Sequence, residues 1–292
     1  NAVLRATGLP RKAMNASILT VLVNAAIDPL FIYWWGIKGA AIATIIAQGI
    51  SLAWVIYVLS NRNHVVHFQK GGYRLEKTIV KRILSVGMSP FFMNSTACLI
   101  VIVFNQGLKQ YGGDLAIAAY GIVNKLTFLF IMVVMGLNQG MQPIASYNFG
   151  AKLYNRLEKV VRHTAFCAIA VTATGFIIAE LFPYQLVRMF TSDQMLIEEA
   201  VKGVRISFMF YPIVGFQMVT SNFFRSIGYA GTAIFLSLTR QLIFLLPIMI
   251  ILPKFIGLDG IWASMPLADL ISCVVSASMM LYHMRKFRRN SN

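Results

Sequence analysis

Apolar residues fall into eight long runs, near 13–35, 37–60, 79–108, 116–141, 160–182, 203–223, 231–253 and 258–283. Each reaches about 20 residues or more, the length an α-helix needs to cross the hydrocarbon core of a bilayer. The segments between them are short except at 61–78, 142–159 and 183–202, and the first of these, Ser60 to Lys77, is rich in charge and broken by Gly71-Gly72. The pattern predicts eight membrane-spanning helices in two groups joined by a linker. The expected divisions are 1–60, a linker at 61–78, and 79–292 with a basic tail.

Composition sharpens this into an all-α polytopic membrane protein. The chain is 58% hydrophobic and only 12% charged, where a soluble domain carries about 25% charge. A net charge of +16 would suggest nucleic acid in a soluble protein. Here the positive residues sit at the ends of apolar runs, so membrane topology accounts for them and lipid, not nucleic acid, is the expected partner. With alternating spans, 18 of the 26 Lys and Arg residues collect on one side, among them Arg5, Lys12, Lys152, Arg225 and Arg285. Positive residues stay in the cytoplasm, which places both ends of this segment there. Cys98, Cys167 and Cys273 each lie inside an apolar run, and the four histidines form no metal-binding spacing.

Four charges fall well inside spans, away from their ends: Asp28, Lys125, Arg240 and Asp269. An ionisable group at membrane depth is costly and marks a functional site or a buried pair. Asp28 is the only charge in its span. Asn24 lies four residues before it, on the same helix face, and Pro29 follows, lacking the N–H that would occupy a preceding carbonyl. An amide, a carboxylate and a freed carbonyl on one face suit a proton or a small cation such as sodium, the one metal ion expected. Lys125, Arg240 and Asp269 are expected to face the protein interior and pair there. With Gln48, Asn94, Asn124 and Gln217 they are candidate cavity-lining residues. Gly136 and Gly140, four apart, suit close helix contact.

An internal repeat runs through the chain. Arg5-Ala-Thr-Gly8 recurs as Arg225-Ser-Ile-Gly228, Gly36-Ile-Lys-Gly39 as Gly257-Leu-Asp-Gly260, and Ile50-Ser51 as Ile271-Ser272. Spans one and two therefore correspond to spans seven and eight, and Gln48 to Asp269. Related halves are a mark of transporters. Four further helices, on the order of 140 residues, are then expected ahead of residue 1 if the halves are alike.

Several of these residues resemble one family closely. Arg5-Ala-x-Gly8-x-Pro10, Asn24-x-x-x-Asp28-Pro29-Leu-Phe-Ile32 and Gly39-Ala-Ala-Ile-Ala-Thr44 are similar to multidrug and toxic compound extrusion (MATE) transporters. So are Gln142-Pro-Ile-Ala-Ser-Tyr-Asn-Phe-Gly150, Phe190-Thr-Ser-Asp193 and Pro266-Leu-Ala-Asp269. The resemblance implies a two-lobe helical bundle, with the last two helices of the N-lobe and a six-helix C-lobe present. It also implies antiport of amphipathic, often cationic compounds against protons or sodium, without a cofactor, in the bacterial cytoplasmic membrane. Asn24 and Asp28 match the family's cation-site positions, and Thr44 is the nearest match to a Thr on the next helix. A second branch of the family carries acids on the helices matching 79–108 and 203–223. Those spans hold none here, which speaks against a C-lobe cation site of that kind. The protein is expected to work as a monomer.

Two other functions fit the residues less well. A flippase for lipid-linked oligosaccharide precursors shares a related architecture but needs a wide, strongly cationic cavity. A membrane-embedded enzyme needs a nucleophile–base pair, paired carboxylates or metal ligands at membrane depth, and the spans supply none.

Overall fold

A computed structural model describes residues 2–6, 8–60 and 75–289. The chain is helical across them and divides into two compact units, Asn1–Glu76 and Lys77–Asn292. Most of the expected linker, residues 61–74, lies outside the described residues.

The first unit is a helical hairpin: a short α1 (Ala2–Ala6), then α2 (Pro10–Trp35) and α3 (Ile37–Ser60). Pro10 opens α2 where a missing N–H costs nothing. The seam between α2 and α3 is built from small residues: Ala13 and Ala16 on one helix, Gly39, Ala43, Ala47 and Ser51 on the other. On α3 they recur every fourth residue, which forms one straight ridge and lets the two backbones approach closely. Ser51 donates from Oγ to the Ala16 carbonyl at 3.2 Å across that seam. Outside it, Tyr33, Trp34 and Trp35 are exposed at the end of α2, where amphipathic rings suit the membrane–water boundary.

The second unit contains α4 (Lys77–Gly150), α5 (Tyr154–Leu181), α6 (Pro183–Arg188), α7 (Gln194–Phe208), α8 (Tyr211–Ser226) and α9 (Ala230–Leu238). A π-helical turn (Thr239–Leu245) leads into α10 (Leu246–Ile251), followed by α11 (Pro253–Ile256) and α12 (Leu258–Arg289). Gly113 has φ +67° and ψ −160° and breaks α4 into two arms, which carry the runs expected at 79–108 and 116–141. Among the described residues six helices are long and apolar enough to cross a membrane. The eight expected passes differ from that number for local reasons. The two arms of α4 run on as one assigned helix, and the run at 203–223 is split between α7 and α8 at Phe210, just before Pro212. Across the described residues the fold is all-α, in two helical units.

Two apolar cores hold this unit. One gathers Phe104, Tyr120, Phe208, Tyr211 and Trp262, with Trp262 fully buried. Its indole N–H donates to Glu199 Oε1 at 3.1 Å, and Gly203 leaves room for the ring: a Cβ there would stand 2.9 Å from it. The other core gathers Leu157, Phe223, Phe224, Met280 and Phe287. Gly136 and Gly140, expected at a helix contact, are exposed, and an added Cβ on either meets nothing within 4 Å.

The repeat is visible bond by bond. Gly36 (φ +56°, ψ −134°) and Gly257 (φ +60°, ψ −136°) take the same left-handed turn, a conformation that favours glycine. The N–H of Gly39 reaches the Gly36 carbonyl at 3.0 Å, and that of Gly260 reaches Gly257 at 3.0 Å. Gly8 and Gly228 match as well, at φ +79° and +83°. The bonds that follow them, Leu9 to Leu4 and Tyr229 to Phe224, are both 2.9 Å.

Candidate functional site

The first unit joins two of the three predicted cation-site residues directly. Asn24 and Asp28 lie one turn apart on α2, and Asn24 Nδ2 donates to Thr44 Oγ1 on α3 at 3.5 Å. The Thr44 hydroxyl in turn donates to the Ala40 carbonyl at 2.9 Å. Asp28 Oδ1 is buried and has no hydrogen-bond partner. An ionised carboxylate can only accept, so an orphaned oxygen of this kind carries an unreturned desolvation cost. A bound proton or a small cation removes that cost.

The second unit pairs two of its three internal charges. Arg240 Nε donates to Asp269 Oδ1 at 2.6 Å, with side chains 32% and 10% exposed. Arg240 projects from the π turn. There the N–H of Leu246 reaches back five residues to the Gln241 carbonyl. Pro247 explains the widening, since it has no N–H and its ring crowds the carbonyl four residues earlier. A cavity of about 90 Å³ lies beside the pair, lined by Asn124, Thr127, Ser207 and Tyr211. Tyr211 donates to the Thr127 carbonyl at 2.8 Å, while Ser207 Oγ is buried without a partner. Neither Tyr211 nor Ser207 stands out in the sequence, because both sit in a long apolar run.

A larger cavity of about 380 Å³ is also lined by Arg240. Asn94 and Gln217 line it, together with Asn138, Asn222, Arg225 and Gln241. Gln48 and Lys125 depart from the expectation, since both are exposed and neither lines these two cavities. Gln48 falls about 100° round α3 from the small-residue ridge. Lys125 holds its ammonium over the Phe190 ring, 5.9 Å from the centroid, a cation–π contact and not a buried pair. Among the described residues no group of His, Cys, Asp and Glu could hold a metal ion.

Residues 88–251, more than half of the chain, match the MatE family model. The chain belongs to the MatE family. It is 25% identical over 284 residues to multidrug export protein MepA of Staphylococcus aureus strain N315, a match covering 96% of this chain and 62% of that protein. The chain therefore spans under two thirds of the length of the curated relatives it matches. Among solved structures, the MATE multidrug transporter DinF-BH is 34% identical, with a TM-score of 0.80. That match covers 92% of this chain and 61% of DinF-BH. A MOP superfamily transporter from Pyrococcus furiosus superposes with a TM-score of 0.89 at 22% identity, covering 98% of this chain and 65% of its own. That likeness shows the fold. This MatE chain is an integral membrane protein.

Proposed function

We propose that the protein is a cation-coupled antiporter that exports amphipathic, often cationic compounds. MepA, named as a multidrug export protein, and DinF-BH, a multidrug transporter, support that reading. The observation that carries the coupling is Asp28, whose buried Oδ1 lacks a partner one turn from the Asn24–Thr44 contact. Protonation or sodium binding there stabilises whichever conformation keeps the carboxylate from water. Coupling follows because the ion binds the two conformations unequally. Substrate then crosses by alternating access as two helix bundles rock. The protein works as a monomer in the bacterial cytoplasmic membrane, with both ends of this segment in the cytoplasm.

Asp28→Asn removes the titratable charge and keeps the shape. In vesicles with proton and sodium gradients imposed separately, this variant of the full-length protein should lose gradient-driven dye efflux under both. Normal efflux by a folded variant rules the mechanism out. The gradient that drives the parent protein identifies the ion.

A further inference from the structure

The last helix ends in a groove that neither the coupling site nor the internal cavities use. On α12, Ser278, Leu281, Tyr282, Arg285 and Lys286 line an open groove of about 590 Å³ that holds two cations and no carboxylate. Their spacing, i, i+3, i+4, i+7 and i+8, keeps all five on one helix face. Arg285 and Lys286 are exposed, and among the described residues neither side chain makes an ion pair or a hydrogen bond. Ser278 donates its proton to the Val274 carbonyl at 2.9 Å. The donors left to the groove are the guanidinium, the ammonium and the Tyr282 phenol.

The same face continues along the helix as apolar surface. Ile271 and Val274 extend it towards the middle of α12, 40% and 62% exposed, and Leu281 is 59% exposed. Val274 to Arg285 covers about 16 Å at 1.5 Å per residue, close to the depth of one leaflet, roughly half of a 30 Å hydrocarbon core. An acyl chain can lie against Val274 and Leu281 while a headgroup sits beside Tyr282, whose ring suits the membrane–water boundary. Both cations then meet the headgroup phosphate, Arg285 with a planar fork and Lys286 as a point charge on a flexible stem. The backbone path does not require these cations. At the offset of 221 that joins Ile50-Ser51 to Ile271-Ser272, Arg285 and Lys286 fall on His64 and Val65.

We propose that the C-terminal end of α12 binds an anionic glycerophospholipid, with its phosphate on Arg285 and Lys286 and an acyl chain along Leu281 and Val274. A zwitterionic lipid brings its own cation to the same place and loses most of the charge attraction. The contact is independent of the efflux reading, since it uses none of the coupling residues.

Phosphatidylglycerol and phosphatidylcholine with the same acyl chains separate charge from chain. Each is titrated into the purified protein in neutral detergent, and bound lipid is counted by native mass spectrometry. The first phosphatidylglycerol should bind about tenfold more tightly than the first phosphatidylcholine. The double variant Arg285→Gln with Lys286→Gln should weaken phosphatidylglycerol about tenfold and leave phosphatidylcholine within about twofold. Arg156→Gln with Lys159→Gln removes the same charge from exposed positions of α5, and both lipids should then bind as they do to the parent. Excess glycerol 3-phosphate, which has no acyl chain, should not displace the lipid. Equal binding of the two lipids overturns the proposal, as does a phosphatidylglycerol preference that survives the α12 variant or falls as far in the α5 variant. Displacement by glycerol 3-phosphate overturns it too, because the groove would then read a free phosphate.

Discussion

The hairpin of α2 and α3 and its counterpart running from α9 to α12 turn through glycines with nearly the same angles and the same hydrogen bonds. Their charged side chains differ. In the first, a carboxylate at the start of the Pro29 turn stands without a partner. In the second, the helix before Pro247 widens into a π turn, and its arginine clasps Asp269. Asp269 occupies the place that Gln48 holds in the first hairpin. A repeated backbone therefore does not imply a repeated site: glycines at positive φ hold the path, and a few polar positions decide what the path carries. One hairpin leaves a buried carboxylate oxygen without a partner, and the other closes its acid with an internal arginine.

The most severe way to break the comparison is to open the closed pair. Arg240→Ala leaves Asp269 buried and uncompensated, which should cost about 3–5 kcal/mol. Thermal melting of the purified chain should show a large loss, whereas Asp28→Asn, which strands no charge, should melt close to the parent. Equal losses in the two variants would mean that Asp28 has a partner after all.

The turns come next. A Cβ on Gly39 would lie 1.9 Å from the Phe31 carbonyl oxygen, whereas one on Gly260 meets Leu252 and Pro253 backbone atoms at 2.7 Å. Alanine gains about 1 kcal/mol of helix preference over glycine at either site. The overlap at Gly39 cannot be relieved by turning a side chain, so Gly39→Ala should lose about 3 kcal/mol net and Gly260→Ala about 1 kcal/mol. Melting curves of the two variants rank them directly.

The smallest effect separates two serines that correspond in the repeat. Ser51 reaches across the seam to Ala16, whereas Ser272 donates at 2.6 Å to Ala268 within its own helix. Ser51→Ala should cost about 1 kcal/mol and Ser272→Ala less, since only the first joins two helices. Hydrogen exchange of the α2 and α3 amides should rise in the first variant alone.

Much of the fold was legible because membrane-spanning helices are written as long apolar runs, and because Gly36 and Gly257 punctuate them at matching places. The pairing inside the second unit was only half legible. Arg240 and Asp269 announced themselves as charges at membrane depth, but their meeting depends on α12 packing against the π turn, whose one local sign is Pro247. The amides show the limit most clearly. Asn94, Asn138, Gln139, Gln217, Asn222 and Gln241 line the larger cavity, whereas Asn105 and Gln106 do not. Where nearly every other position is apolar, helical periodicity cannot separate a cavity-facing amide from one that faces outward. The Asn24–Thr44 contact was readable only through family resemblance. Spacing alone linked only Asn24 and Asp28.

The ridge of Gly39, Ala43, Ala47 and Ser51 against Ala13 and Ala16 has a consequence for how this hairpin should be probed. Its side chains have almost nothing left to truncate, so few substitutions can leave a void and nearly all of them add bulk. An alanine scan alters just two of these six positions and would report the rest as unimportant. Substitution by leucine or phenylalanine, one position at a time, is the screen to which this contact is sensitive.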